Sequence, residues 1–128
     1  MESLILERQL NFPSINFDPN TGMLKIIGRS IPEDPVKFYE PLENWISDFI
    51  DTKPETLTLF IYLDYLNTHS TEFVLFLMKI IERFYKDNNT KVKVVWNFDE
   101  DDEDMEALGV DYASIIKVPF EYISIVKD

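Results

Sequence analysis

Apolar positions along the chain alternate between a period near two and a period of three to four, the spacings that separate strands from helices. Leu4–Leu10 and Ser14–Phe17 are short β-prone stretches separated by Pro13, and the turn cluster Asp18-Pro19-Asn20-Thr21-Gly22 leads into a third, Met23–Ile27. These predict an N-terminal β-meander. Pro32, Asp34 and Pro35 then supply a capping residue and a proline suited to a first helical turn, before Phe38, Leu42, Trp45, Ile46, Phe49 and Ile50 recur at helical spacing. That pattern predicts an amphipathic helix with Phe38, Trp45 and Phe49 turned to the core. Pro41 lies inside it, where a proline removes a backbone donor and clashes with the preceding turn at a cost of about 3 kcal/mol. A kink or a second helix start is expected there.

Thr56–Leu66 is nearly continuous in apolar character, the signature of a central strand covered on both faces. Asn67–Thr71 interrupts the pattern. Phe73, Phe76, Leu77, Ile80, Ile81 and Phe84 predict a second helix to about Asp87, closed by Lys86 and an Asn88-Asn89 turn. Val92–Phe98 reads as a strand, Met105–Ile116 as a weaker helix interrupted by Gly109, and Phe120–Val126 as a last strand. The order implies an α/β fold with a mixed β-sheet and helices mainly on one face. Neither repeats nor a linker divide the chain, so residues 1–128 are expected to form a single domain.

Composition narrows the chemistry. The chain has no Cys and one His, which excludes thiolate metal sites, cysteine nucleophiles and a multi-histidine centre within one chain. Its formal net charge of -12 repels phosphate backbones and anionic lipid surfaces, so nucleic acid and membrane are not expected partners. With no signal peptide or membrane span legible in the sequence, the expected location is cytoplasmic. The acidity is concentrated: seven of the eight residues from Asp99 to Glu106 are acidic.

Four features are weighed as carriers of function. His69, beside Thr68 and Ser70, lacks a nucleophile elbow and reads as an exposed first-turn residue. Gly22, Gly28 and Gly109 are isolated, so no phosphate-cradling loop is present. The run Asp99-Glu100-Asp101-Asp102-Glu103-Asp104 offers oxygen ligands but puts Asp104 where a calcium loop needs glycine. A solvated loop, helix-start charge or partner surface competes there with a weak Mg²⁺ or Ca²⁺ site. The junction Asn67-Thr68-His69-Ser70-Thr71 gathers three hydroxyls and an amide where a helix begins, more than capping requires. A phosphate on one of these hydroxyls would meet a positive helix end. The residues alone leave open which hydroxyl that is.

Several pieces, taken in order, resemble the SiaC family of bacterial regulatory phosphoproteins, over about Pro13 to Ile125. They are Phe17-Asp18-Pro19 with Gly22, Leu24, Ile26 and Gly28; Ser30 with Pro32-Glu33; Phe38-Tyr39 with Pro41-Leu42 and Trp45; Tyr65 with Asn67-Thr68; and Trp96 with Asp99–Met105. The resemblance implies a STAS or SpoIIAA-like domain in which a strand ends at a phosphorylatable hydroxyl beginning the next helix. By position, Thr68 is the implied phosphoacceptor. It further implies a non-enzymatic partner switch without cofactors: a cognate kinase modifies the threonine, a PP2C-type phosphatase restores it, and the unmodified form binds a diguanylate cyclase. Asn67, His69 and Ser70, with Asp99, Glu100, Asp101 and Asp102, are the expected partner-binding residues. The chain departs from the family at Ile31, His69 and Glu72, positions that bear on partner identity. The competing functions are an acidic metal-binding domain or metal-dependent hydrolase built on Asp99–Asp104, and a constitutive adaptor whose junction hydroxyls serve only as caps.

Overall fold

A computed structural model describes residues 1–87 and 91–127 of the chain. The predicted meander is present as β1 (Leu4–Leu6), β2 (Ser14–Asp18) and β3 (Met23–Ser30), paired antiparallel. β1 is shorter than its β-prone stretch, because the chain from Glu7 leaves the sheet edge and carries Arg8 across the neighbouring strands. Three further strands follow, β4 (Thr56–Leu66), β5 (Lys91–Asp99) and β6 (Phe120–Ile125), each parallel to its predecessor in a six-stranded sheet ordered β1-β2-β3-β4-β5-β6. Parallel neighbours need crossovers, and α1 (Pro35–Asp51), α2 (Thr68–Asp87) and α3 (Glu103–Ile115) supply them.

Residue alternation shows which face these helices cover. Leu57, Leu59, Ile61 and Leu63 on β4 are buried with Val92, Val94, Trp96 and Phe98 on β5, under Leu42, Ile46 and Phe49 of α1 and Val74, Leu77 and Ile81 of α2. Thr58, Phe60 and Tyr62, on the alternate face of β4, remain half-buried. The apolar run therefore does not mark a strand covered on both faces. Its second face is partly shielded by long neighbours instead, as where Lys25 lies over the Phe60 ring.

Two readings of helix breakers are also corrected. α1 runs as one helix through Pro41, with no second start; the proline is exposed while Tyr39, Leu42, Ile46 and Phe49 bury the opposite side. That burial outweighs one missing backbone bond. α3 likewise passes through Gly109 without interruption. A Cβ built there would lie 2.5 Å from Trp96 Nε1, so the glycine permits α3 to press against the indole. Phe49 is buried, while Phe38 and Trp45 are half-buried against the same core. The Asn88-Asn89 turn expected after α2 lies outside the described residues.

Candidate functional site

Because β3 to β6 all run the same way, their last residues, Ser30, Leu66, Asp99 and Ile125, share one rim of the sheet. In such sheets the rim at the carboxyl ends of the strands is where ligands and partners are met. All three helices begin there, each fixed by a side-chain cap. Asp34 Oδ1 accepts from the Lys37 amide at 3.1 Å, Asn67 Oδ1 from Ser70 at 2.9 Å and Asp102 Oδ1 from Met105 at 3.0 Å. The fold thus brings the Asn67–Ser70 junction and the Asp99–Asp102 loop, distant in sequence, onto adjacent strand ends.

The polar residues of the junction divide by task. Asn67 caps α2, and its own amide donates to the Ser30 carbonyl at 3.2 Å. Ser70 is completely buried, so it supports the junction from behind. Its Oγ accepts from Ser30 Oγ at 2.9 Å, and Ser30 Oγ also meets the Tyr39 hydroxyl at 2.5 Å. Burial raises the Tyr39 pKa above the ordinary phenol value. The Thr71 hydroxyl donates to the Asn67 carbonyl at 3.0 Å, and the Tyr112 hydroxyl ties α3 to the Thr71 carbonyl at 2.7 Å. Thr68 is the first residue of α2, exposed, and its hydroxyl makes no hydrogen bond among the described residues. His69 is also exposed. At the first two helical positions, the amides of these residues have no intrahelical acceptor.

On the open face below the junction, Asp64 meets two cations: Arg8 at 3.3 Å and Arg29 at 3.9 Å. The Arg29 guanidinium also sits 6.0 Å from the centre of the Tyr65 ring.

The acidic loop is more ordered than a solvated run would be. Asp99 is buried, accepts a hydrogen bond from the Tyr62 hydroxyl and pairs with Lys127 at 2.9 Å. Those two partners, Tyr62 first, hold its carboxyl below the usual carboxylate range, while Asp99 in turn raises Lys127. The Asp102 amide donates to the Asp99 carbonyl at 2.9 Å, and the Glu100 amide to the Ile125 carbonyl at 2.9 Å. Glu100, Asp101, Glu103 and Asp104 are exposed. Among the described residues no group of three or more His, Cys, Asp or Glu side chains converges as a metal-ion cage.

Sequence reasoning about site chemistry passed over Tyr39, Tyr62, Arg8, Arg29 and Lys127. Ser30, Tyr39 and Tyr65 nevertheless belong to the short motifs quoted for the family resemblance, a signal that could have drawn attention to them. No helix among the described residues is long and apolar enough to cross a membrane.

A profile of the family described as "SiaC family regulatory phosphoprotein" matches residues 6–125. A curated, uncharacterized protein of Pseudomonas aeruginosa (strain UCBPP-PA14) is 24% identical over 120 residues, covering 94% of each chain. The crystal structure of apo-SiaC from P. aeruginosa superposes with a TM-score of 0.87 at 22% identity, covering 97% of this chain and all of that one. A chain from the crystal structure of the diguanylate cyclase SiaD in complex with its activator SiaC, also from P. aeruginosa, gives a TM-score of 0.90 at 23% identity, covering 95% and 99% of the two chains. At this identity the structural likeness establishes the fold.

Proposed function

Because the chain belongs to the SiaC family of regulatory phosphoproteins, we propose that it is a phosphorylation-controlled binding protein whose switch is Thr68. A cognate kinase esterifies the Thr68 hydroxyl, a PP2C-type phosphatase removes the phosphate, and the unmodified form binds an effector. The proposed effector is a diguanylate cyclase, the class with which the P. aeruginosa SiaC is complexed. The pathway is cytoplasmic and the chain contributes binding, not catalysis.

One observation carries this reading. Capping accounts for Asn67, while the Ser70 and Thr71 hydroxyls are spent on Ser30 and on the Asn67 carbonyl. Thr68 alone, exposed at the helix start, has a hydroxyl with no structural task among the described residues. A constitutive adaptor whose hydroxyls were all caps would not leave it idle. A phosphate there would face unpaired amides and the positive end of α2.

The effector surface extends along the rim from Asn67, Thr68 and His69 to the acidic loop. Glu100 and Asp101 present charge outward, and Asp99 and Asp102 hold the loop in shape. A partner with a basic face fits it. The metal-dependent alternative is not favoured, because Asp99 is engaged by Tyr62 and Lys127 and Asp102 by the α3 amide.

The test combines modification, binding and stability. Kinase and ATP should add one phosphate, abolished by Thr68→Ala, and the phosphorylated chain should fail to retain the cyclase in a pull-down. Its melting temperature should hold or rise by a few degrees, since a helix N-terminus favours a phosphate by about 0.3 to 1 kcal/mol. Phosphate mapped to Thr71 with Thr68 untouched, undiminished cyclase binding, or a collapse in stability would each overturn the reading.

A further inference from the structure

The charges beside the junction do not balance. Asp64 is met by both Arg8 and Arg29, a trio of net charge +1 on a chain that totals -12. All three side chains are more than 40% exposed, at 53%, 43% and 44% for Arg8, Arg29 and Asp64. Such pairs hold weakly and exchange partners readily. Arg29 is the looser of the two, its Nε 3.9 Å from the carboxylate and so outside hydrogen-bond range.

Arg29 also stands next to the switch. It pairs with Tyr65 across β3 and β4, and the following residue, Ser30, receives the Asn67 amide through its carbonyl and touches Ser70 through its hydroxyl. Adjacent strands lie about 4.8 Å apart and three residues span at most about 10 Å, which puts the Arg29 and Thr68 Cα atoms no more than about 15 Å apart. A long arginine side chain and a phosphothreonine side chain together bridge that gap.

We infer that Arg29 is the intramolecular receptor for a phosphate on Thr68, exchanging Asp64 for it. The inference rests on the reading of Thr68 as the phosphoacceptor. A phosphate brings a charge of about -1.5 to -2 and acceptor oxygens that match the guanidinium fork, against one carboxylate without a hydrogen bond to Arg29. Asp64 keeps Arg8 after the exchange, so no carboxylate is stranded. The other charged groups at this rim are Asp64 on β4, His69 and Glu72 on α2, Glu33, Asp34 and Lys37 at the start of α1, and the acidic loop ahead of α3. Most are acidic; of the other cations near this rim Lys127 is engaged by Asp99 and Lys37 lies on α1, whereas Arg29 directly precedes Ser30, which bonds to Asn67 and Ser70. The exchange pulls Arg29 off Tyr65 and recasts the surface beside the junction, giving phosphorylation an effect wider than one added group.

Phosphothreonine installed at position 68 and titrated by ³¹P NMR tests this. Arg29→Gln should raise the second phosphate pKa by about half a unit or more, the shift expected from removing one nearby cation at high dielectric. Arg29→Lys should restore part of the difference, and Asp64→Asn should move the pKa the opposite way. The helix N-terminus acts equally in all variants and cancels. A phosphate pKa unchanged by Arg29→Gln overturns the inference while leaving the switch reading intact. Mapping of the kinase product to another residue overturns the switch reading, and the exchange falls with it.

Discussion

Replacing Gly109 with alanine sets two physical effects against each other. Helix propensity alone favours the substitution by about 1 kcal/mol, since glycine in a helix interior loses more backbone freedom than alanine. Against this stands the Trp96 indole, which is completely buried, donates from Nε1 to the Met105 carbonyl at 2.9 Å and packs edge-on to Tyr112 with ring centres 5.5 Å apart. An added Cβ would lie 2.5 Å from Nε1 and 2.9 Å from Cγ of that ring, so either the indole or α3 must move. Overpacking of a close-packed core costs about 1 to 3 kcal/mol, and a displaced indole that loses its buried acceptor adds about 1 to 3 more. The steric side wins. Gly109→Ala should destabilise by about 1 to 5 kcal/mol net, lowering the melting temperature by about 4 to 20 °C. Thermal and urea unfolding followed by tryptophan fluorescence measures it. Ala107→Gly, at an exposed position of the same helix, is the control and should lose only the propensity difference of about 1 kcal/mol. A Gly109→Ala chain as stable as the parent, or more so, would refute the argument that close approach, and not chance, keeps glycine in α3.

Two other substitutions probe the rim. Asn67→Ala should cost about 0.5 to 2 kcal/mol in urea unfolding by removing the α2 cap, whereas Asn67→Asp should retain most of it; equal losses would show that the cap is not what Asn67 contributes. Asp99 carries a folded-state pKa below its unfolded value, so its contribution to stability is complete above about pH 3.9 and is lost as the pH falls through the lower folded value. Asp99→Asn should therefore be less stable than the parent at neutral pH, with the gap narrowing as acid is added; a gap that stays constant down the acid limb would discard the Tyr62 and Lys127 clamp as its cause.

What the sequence revealed depended on how local each signal was. Thr56–Leu66 and the Asp34-Pro35 helix start were legible because a strand's apolar run, a cap and a first-turn proline all act within a few residues. Gly109 misled because propensity is a local quantity and its reason, the Trp96 indole, arrives from another strand. The apolar run of β4 was read as covered on both faces because half-shielding by Lys25 and similar neighbours leaves no mark on periodicity. The junction was visible as an excess of polar residues, but its division of labour was not. Ser70 is bonded to Ser30, 40 positions away, and Asp64 to Arg8, 56 positions away; separations of that size carry no pattern in a single sequence. The acidic loop was conspicuous by charge, while the buried role of Asp99 needed Tyr62 and Lys127 in view.

The single direction of β3 to β6 gives the molecule two unlike ends. Capped helix starts, the idle hydroxyl and the acidic loop crowd one end. The opposite end holds the connection from Thr52 to Glu55 and the Ile116–Pro119 turn. The 11 residues of β4 separate them by roughly 33 Å. A fluorophore or affinity handle attached at exposed Lys53 would thus report on the chain while standing clear of the end proposed to meet partners, and a mutational survey could treat the two ends as independent territories.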